Sequence, residues 1–104
     1  MTYLISILSE HLLPNYFLAK EFEGQYNQHI FITTARMENQ KMSERFCKTL
    51  GIETNEVKII TVSEDSLPDV MHKLQSEQFN DTDRFIVNLR SEEHTSELQS
   101  RHNL

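Results

Sequence analysis

The sequence predicts an α/β domain built on a parallel sheet. Four short runs, residues 3–8, 29–34, 57–62 and 84–89, are largely apolar and rich in β-branched or aromatic residues. That is the pattern of strands buried on both faces. Stretches of helical period separate them, so each strand is followed by a crossover, and crossovers of this kind are right-handed.

The first strand leads to a helix over about residues 14–23. Pro14 suits its first turn, where a missing N–H costs nothing, and Gly24 suits its stop. Leu13, Tyr16 and Phe17, with Ala19 and Phe22, are expected on its buried side. The second helix is expected over about residues 38–50, with Met42, Phe46, Cys47 and Leu50 at helical spacing and Gly51 as the stop. In the third, about residues 67–75, Leu67, Val70, Met71 and Leu74 fit the i, i+3, i+4, i+7 template. Ser66 and Asp69 are spaced like a capping box with Asp in place of Glu. The order is β-α-β-α-β-α-β, Rossmann-like in the loose sense. The sheet is expected to be incomplete at its C-terminal side, because open sheets of this kind have one or two further strands.

A length of 104 residues fits one small domain. With 38% hydrophobic and 25% charged residues the composition is that of a globular chain, not a disordered one. The formal net charge of −6 argues against direct nucleic-acid binding, which needs clustered Lys and Arg. It leaves room for a small anionic ligand held by backbone N–H groups. No apolar run is long enough to cross a bilayer, and no basic segment precedes the first one, so neither a membrane span nor a secretory signal is expected. The single cysteine, Cys47, excludes an internal disulfide and any multi-cysteine metal site. A cytoplasmic location follows as the expectation, and the Asn80-Asp81-Thr82 sequon reads as chance.

Residues 90–104 read as a foreign tail. Arg90 to Ser100, RSEEHTSELQS, match residue for residue the translation of a common sequencing-library adapter. The expected division is therefore a domain over residues 1–89 and a non-native tail over residues 90–104. His94, His102, Glu92, Glu93 and Glu97 then carry no functional argument. Without the two Arg and three Glu of the tail, 8 basic and 13 acidic residues remain, a net charge of −5.

In open parallel sheets, ligands bind beyond the carboxyl ends of the strands, at a switch point in strand order. Four loops qualify: Ser9-Glu10-His11, Thr33 to Met37, Ser63-Glu64-Asp65, and whatever follows Leu89. The first loop has no glycine, so the dinucleotide fingerprint is absent, and no P-loop occurs anywhere. Each candidate also has a structural reading. Ser9 can satisfy a strand end, Thr33 and Thr34 can be ordinary strand residues, and Ser63 to Asp65 resemble the start of a helix. Cys47 lies on the apolar face of the second helix and reads as a small buried hydrophobe. His29 and His72 have no partner at metal-ligand spacing.

The phrases Ser9-Glu10-His11-Leu12-Leu13-Pro14-Asn15, Thr33-Thr34-Ala35-Arg36-Met37-Glu38 and Phe85-Ile86-Val87-Asn88-Leu89, in this order and spacing, resemble the N-terminal CARF domain (CRISPR-associated Rossmann fold) of CRISPR accessory nucleases. The resemblance covers most of residues 1–89. It implies a dimeric sensor of cyclic oligoadenylate, the messenger of type III CRISPR immunity, that activates a C-terminal metal-dependent nuclease. By position it implies ligand contacts from Ser9, Glu10, His11, Thr33, Thr34, Met37 and Asn88. It implies no cofactor for this chain, a metal ion only in the nuclease domain, and no catalytic residue here. Family members follow the strand-four Asn-Leu with a Thr-Gly-Gly-Thr loop, whose glycines let backbone N–H groups approach phosphates. Here Asn88-Leu89 runs straight into the adapter-like tail.

The alternative is a flavodoxin-like or other small nucleotide-binding α/β domain, which would need a phosphate or flavin loop. A receiver-like module would need paired acidic residues at the end of the first strand, where Ser9-Glu10 stands.

Overall fold

Four parallel strands and one short antiparallel edge strand form the sheet, and helices cover both of its faces. The computed structural model describes residues 1–77, 79–88 and 97–98. In chain order the elements are β1 (Thr2–Ile7), α1 (Leu13–Glu21), β2 (Gln28–Thr34), α2 (Ala35–Asn39), α3 (Met42–Leu50), β3 (Lys58–Val62), α4 (Leu67–Glu77), β4 (Arg84–Asn88) and β5 (Glu97–Leu98). Short 3-10 turns, Thr54–Glu56 and Glu64–Ser66, precede β3 and α4. The strand order is β3-β2-β1-β4-β5.

β1 is central. It pairs with β2 from Tyr3↔Gln28 to Ile7↔Ile32 and with β4 from Thr2↔Arg84 to Ile5↔Val87. β3 lies outside β2, in register from Ile30↔Lys58 to Thr34↔Val62. The sequence predicts these four strands to within a residue or so at each end. It does not predict β5, which falls in the adapter-like stretch and pairs antiparallel with β4 through Val87↔Leu98 and Asn88↔Glu97.

Alternate strand residues face opposite layers. On one face Leu4 and Ile86 pack against Leu18, Ala19 and Phe22 of the α1 segment, and Phe31 packs with Met37, Met42, Phe46 and Cys47. On the other face Ile5, Ile30, Ile32, Phe85 and Val87 pack against Met71 and Leu74 of α4. The α4 expectation and the buried reading of Cys47 are met, and burial pushes the Cys47 thiol above its usual range. Phe31, Phe46 and Phe85 are fully buried, and full burial of such a side chain contributes roughly 1.5–3 kcal/mol. The chain turns into β4 at the buried Asp83, whose carboxylate accepts from the Asn80 amide at 2.9 Å and from the Met1 ammonium at 3.3 Å.

Two expectations about the helices need correction. In α1 the buried positions are Asn15, Leu18 and Ala19, with Phe22 just beyond, whereas Leu13 and Phe17 are 62% and 61% exposed. Both sets fit helical spacing. The rotation is fixed by Asn15, whose Nδ2 donates to the Ile7 carbonyl at the end of β1, 3.0 Å away. The second helix is two helices, separated at Lys41, which takes the left-handed conformation with φ 57°. One continuous helix would set Met37 and Phe46, nine positions apart, on opposite sides, about 180° around the axis. The break at Lys41 resets the phase, so both reach the same core cluster. Ahead of α4, Ser66 donates to the Ser63 carbonyl at 3.0 Å and accepts from the Ser63 hydroxyl at the same distance.

One polar pair is sealed within the α1/α3 face. Nε2 of His29 lies 2.7 Å from Ser6 Oγ, and both residues are buried. The rings of Phe31, Tyr26 and Phe46 stand edge-on to the imidazole at centroid distances of 4.8, 5.6 and 6.0 Å. Desolvation in this apolar setting lowers the His29 pKa from 6.5 to about 4.

Candidate functional site

The strand order places the switch point between β1 and β4. From β1 the chain leaves toward α1 on one face, while β4 is entered from α4 on the other. In parallel sheets of this order the ligand crevice lies outside the carboxyl ends of the strands, where the strand order reverses. The segment after β1, Ser9 to His11, stands there. Its backbone is held by Leu8, whose N–H donates to the Ile32 carbonyl at 2.8 Å.

Within this segment Ser9 Oγ accepts from the His11 N–H and donates to the His11 carbonyl, both at 3.2 Å. The turn leaves the Glu10 and His11 side chains exposed. Glu10 meets Arg36, from the first turn of α2, with Nη1 to Oε2 at 2.8 Å. The same guanidinium reaches Glu64, in the turn after β3, with Nε to Oε2 at 2.5 Å. Hydrogen bonding from Arg36 and its charge, with a further bond from Gln40, hold the Glu10 carboxyl below its usual range. Glu64 and then Glu10 raise the Arg36 pKa further.

Thr33, Thr34 and Met37 lie beneath this rim. The Thr33 side chain is fully buried and donates to Glu38 Oε2 at 2.7 Å, and Ser43 donates to the same oxygen at 2.8 Å. The Thr34 hydroxyl accepts from the Met37 N–H at 3.2 Å and so caps α2. The Met37 side chain fills the core beside Leu8, Phe31 and Phe46. Asn88 ends β4 beside β1, and its side chain lies outside the described residues.

The candidate residues therefore form two tiers. Ser9, Glu10 and His11 form an accessible rim, and Thr33, Thr34 and Met37 form a buried support that fixes the start of α2. Sequence reasoning missed Arg36 and Glu64 as partners of Glu10. The available signal was one cation in the second loop between carboxylates in the first and third, but it becomes legible only once β1, β2 and β3 are known to be neighbours. Among the described residues no group of three or more His, Cys, Asp or Glu is placed to hold a metal ion. No helix among them is long and apolar enough to cross a membrane.

Fold and site together define a Rossmann-like α/β domain whose switch-point loop offers a hydroxyl, an imidazole and charged groups where dinucleotide-binding domains have glycines. The family model of the Card1 CARF domain matches residues 3–91, and the chain belongs to that family. CARF domains bind cyclic oligoadenylate ligands, and the family implies such sensing in CRISPR defence. No curated protein matches the chain.

Proposed function

We propose that this chain is the ligand-sensing part of a CRISPR defence protein, a binding module with no catalysis and no cofactor of its own. The strand order β3-β2-β1-β4 carries the reading, because it sets Ser9, Glu10 and His11 at the switch point. In the whole protein the sensor is a cytoplasmic homodimer that regulates a C-terminal nuclease, and any metal ion belongs to that nuclease. A cyclic ligand with internal symmetry suits an isologous interface that presents the same loops twice. The net charge of −6 supports affinity drawn from backbone N–H groups and hydroxyls, and it disfavours direct binding of long nucleic acids.

On this reading residues 90–104 stand in place of natural sequence that includes a glycine-rich ligand loop. Resequencing the source DNA with unrelated adapters is expected to give different codons after Leu89, and recovery of the same codons would refute the assignment.

The ligand reading is tested by calorimetry with cyclic tetra- and hexa-adenylate on a chain restored beyond Leu89. Ser9→Ala removes a rim hydroxyl. Thr33→Val removes the hydroxyl that holds Glu38. Each is expected to weaken binding by about 0.5–1.5 kcal/mol, the net contribution of one hydrogen bond. Absence of heat with both ligands removes the sensor reading. Undiminished binding by both variants keeps the sensor and removes these residues. The 104-residue chain is expected to bind weakly or not at all.

A further inference from the structure

We propose that Arg36 is the anion-recognition residue of this site, held in reserve by a two-carboxylate clasp that a phosphate group displaces. The identity of the ligand rests on the cyclic oligoadenylate reading; the clasp rests on geometry. Arg36 Nη1 binds Glu10 and Nε binds Glu64, at 2.8 and 2.5 Å. The three side chains are 56%, 50% and 49% exposed, so solvent and ligands reach them. Exposed ion pairs of this kind add little to folding stability.

The three residues come from the loop after β1, the first turn of α2 and the turn after β3, three neighbouring strand ends. α2 belongs to the layer containing α1 and α3, since Met37 packs in that core, whereas the Glu64–Ser66 turn leads into α4 on the opposite face. Arg36 is thus a polar tie between the two helical layers across the carboxyl edge of the sheet.

A guanidinium presents five N–H donors in a planar fork that suits phosphate as well as carboxylate. A phosphate can therefore take the place of a carboxylate on Arg36. Until it does, Glu10 and Glu64 occupy the Arg36 guanidinium. The clasp thereby selects for a ligand that sets a phosphate within reach of Arg36. Displacement of Glu64 frees the turn that starts α4, which carries the binding event to the other layer.

The test is an NMR titration of the isotope-labelled 104-residue chain with tripolyphosphate and, separately, with cyclic tetra-adenylate. The reporters are the Arg36 Nε–H signal and the amides of residues 9–11 and 63–66. Tripolyphosphate is expected to move all of them. Glu64→Gln is expected to tighten its binding about three- to tenfold by freeing the guanidinium, and Arg36→Gln to abolish it. In the Arg36→Gln background, Glu64→Gln is expected to change nothing. An Arg36 signal that neither anion moves, even in Glu64→Gln, overturns the clasp. So does a gain from Glu64→Gln that survives the loss of Arg36. If the restored chain also fails to bind cyclic tetra-adenylate while tripolyphosphate engages Arg36, the clasp stands and the cyclic oligoadenylate reading falls. If cyclic tetra-adenylate binds and leaves Arg36 unmoved, that reading stands and the clasp falls.

Discussion

Met71→Asp is expected to be strongly destabilising, lowering the stability of the fold by several kcal/mol. Met71 is 8% exposed and packs with Leu74 of α4 against Ile5, Ile30, Phe85 and Val87. The substitution removes apolar volume from that core and leaves a carboxylate with no partner in an apolar surround. An uncompensated buried charge of this kind costs about 3–5 kcal/mol, and a domain this small begins with only about 5–10 kcal/mol. Far-UV circular dichroism with urea denaturation measures the loss. Met71→Leu, which nearly keeps shape and volume, is expected to cost less than about 1.5 kcal/mol. A Met71→Asp midpoint equal to wild type would place Met71 outside the core.

Acidification is expected to destabilise the fold through His29. Its pKa is about 4 in the folded chain against an ordinary 6.5. Between these values the unfolded chain takes up a proton that the native chain refuses. This stability is therefore fully present above pH 6.5 and is lost as the pH falls toward 4. The loss amounts to about 3 kcal/mol, because a tenfold difference in proton affinity between the two states corresponds to about 1.4 kcal/mol. Carboxylates also contribute to acid unfolding, so the informative quantity is the difference between wild type and His29→Gln. That variant is expected to be less stable at pH 7 because it disturbs the Ser6 pair, and its stability relative to wild type is expected to rise by about 3 kcal/mol by pH 4. Parallel stability curves would show that His29 titrates alike in both states.

The strands were legible because a parallel strand covered on both faces must be apolar throughout, and few other segments of this chain are. α4 was legible for a related reason, since Leu67, Val70, Met71 and Leu74 leave one apolar stripe on a polar helix. α1 offered two apolar stripes, and the choice between them was made by Asn15, a polar residue turned inward to satisfy the Ile7 carbonyl. Apolar counting assigns such a residue to the surface. The break at Lys41 carries no Gly or Pro to announce it; the demand comes from the sheet, which draws Met37 and Phe46 to one side. At the site, the rim loops followed from strand ends alone. Their pairing through Arg36 depended on strand order, which the sequence leaves open. The support role of Thr33 and Thr34 depended on Glu38 and on the Met37 amide facing them.

The central position of β1 also governs the order in which the chain can fold. Its partner β2 lies 25 residues away, but Arg84, opposite Thr2 on β4, lies 82 residues away. Closing the longer loop costs only about 1 kcal/mol more in chain entropy, so the finished fold is little penalised. The cost falls on time. A chain emerging from the ribosome can pair β1 with β2 early, yet one edge of β1 stays bare until β4 has been made. Through that interval Ile5 and Ile30 lack Phe85 and Val87, two of the five buried strand residues on which α4 settles. A nascent chain stalled before Arg84 would therefore present an open strand edge beside an uncovered apolar face, the kind of surface that chaperones hold and that otherwise aggregates.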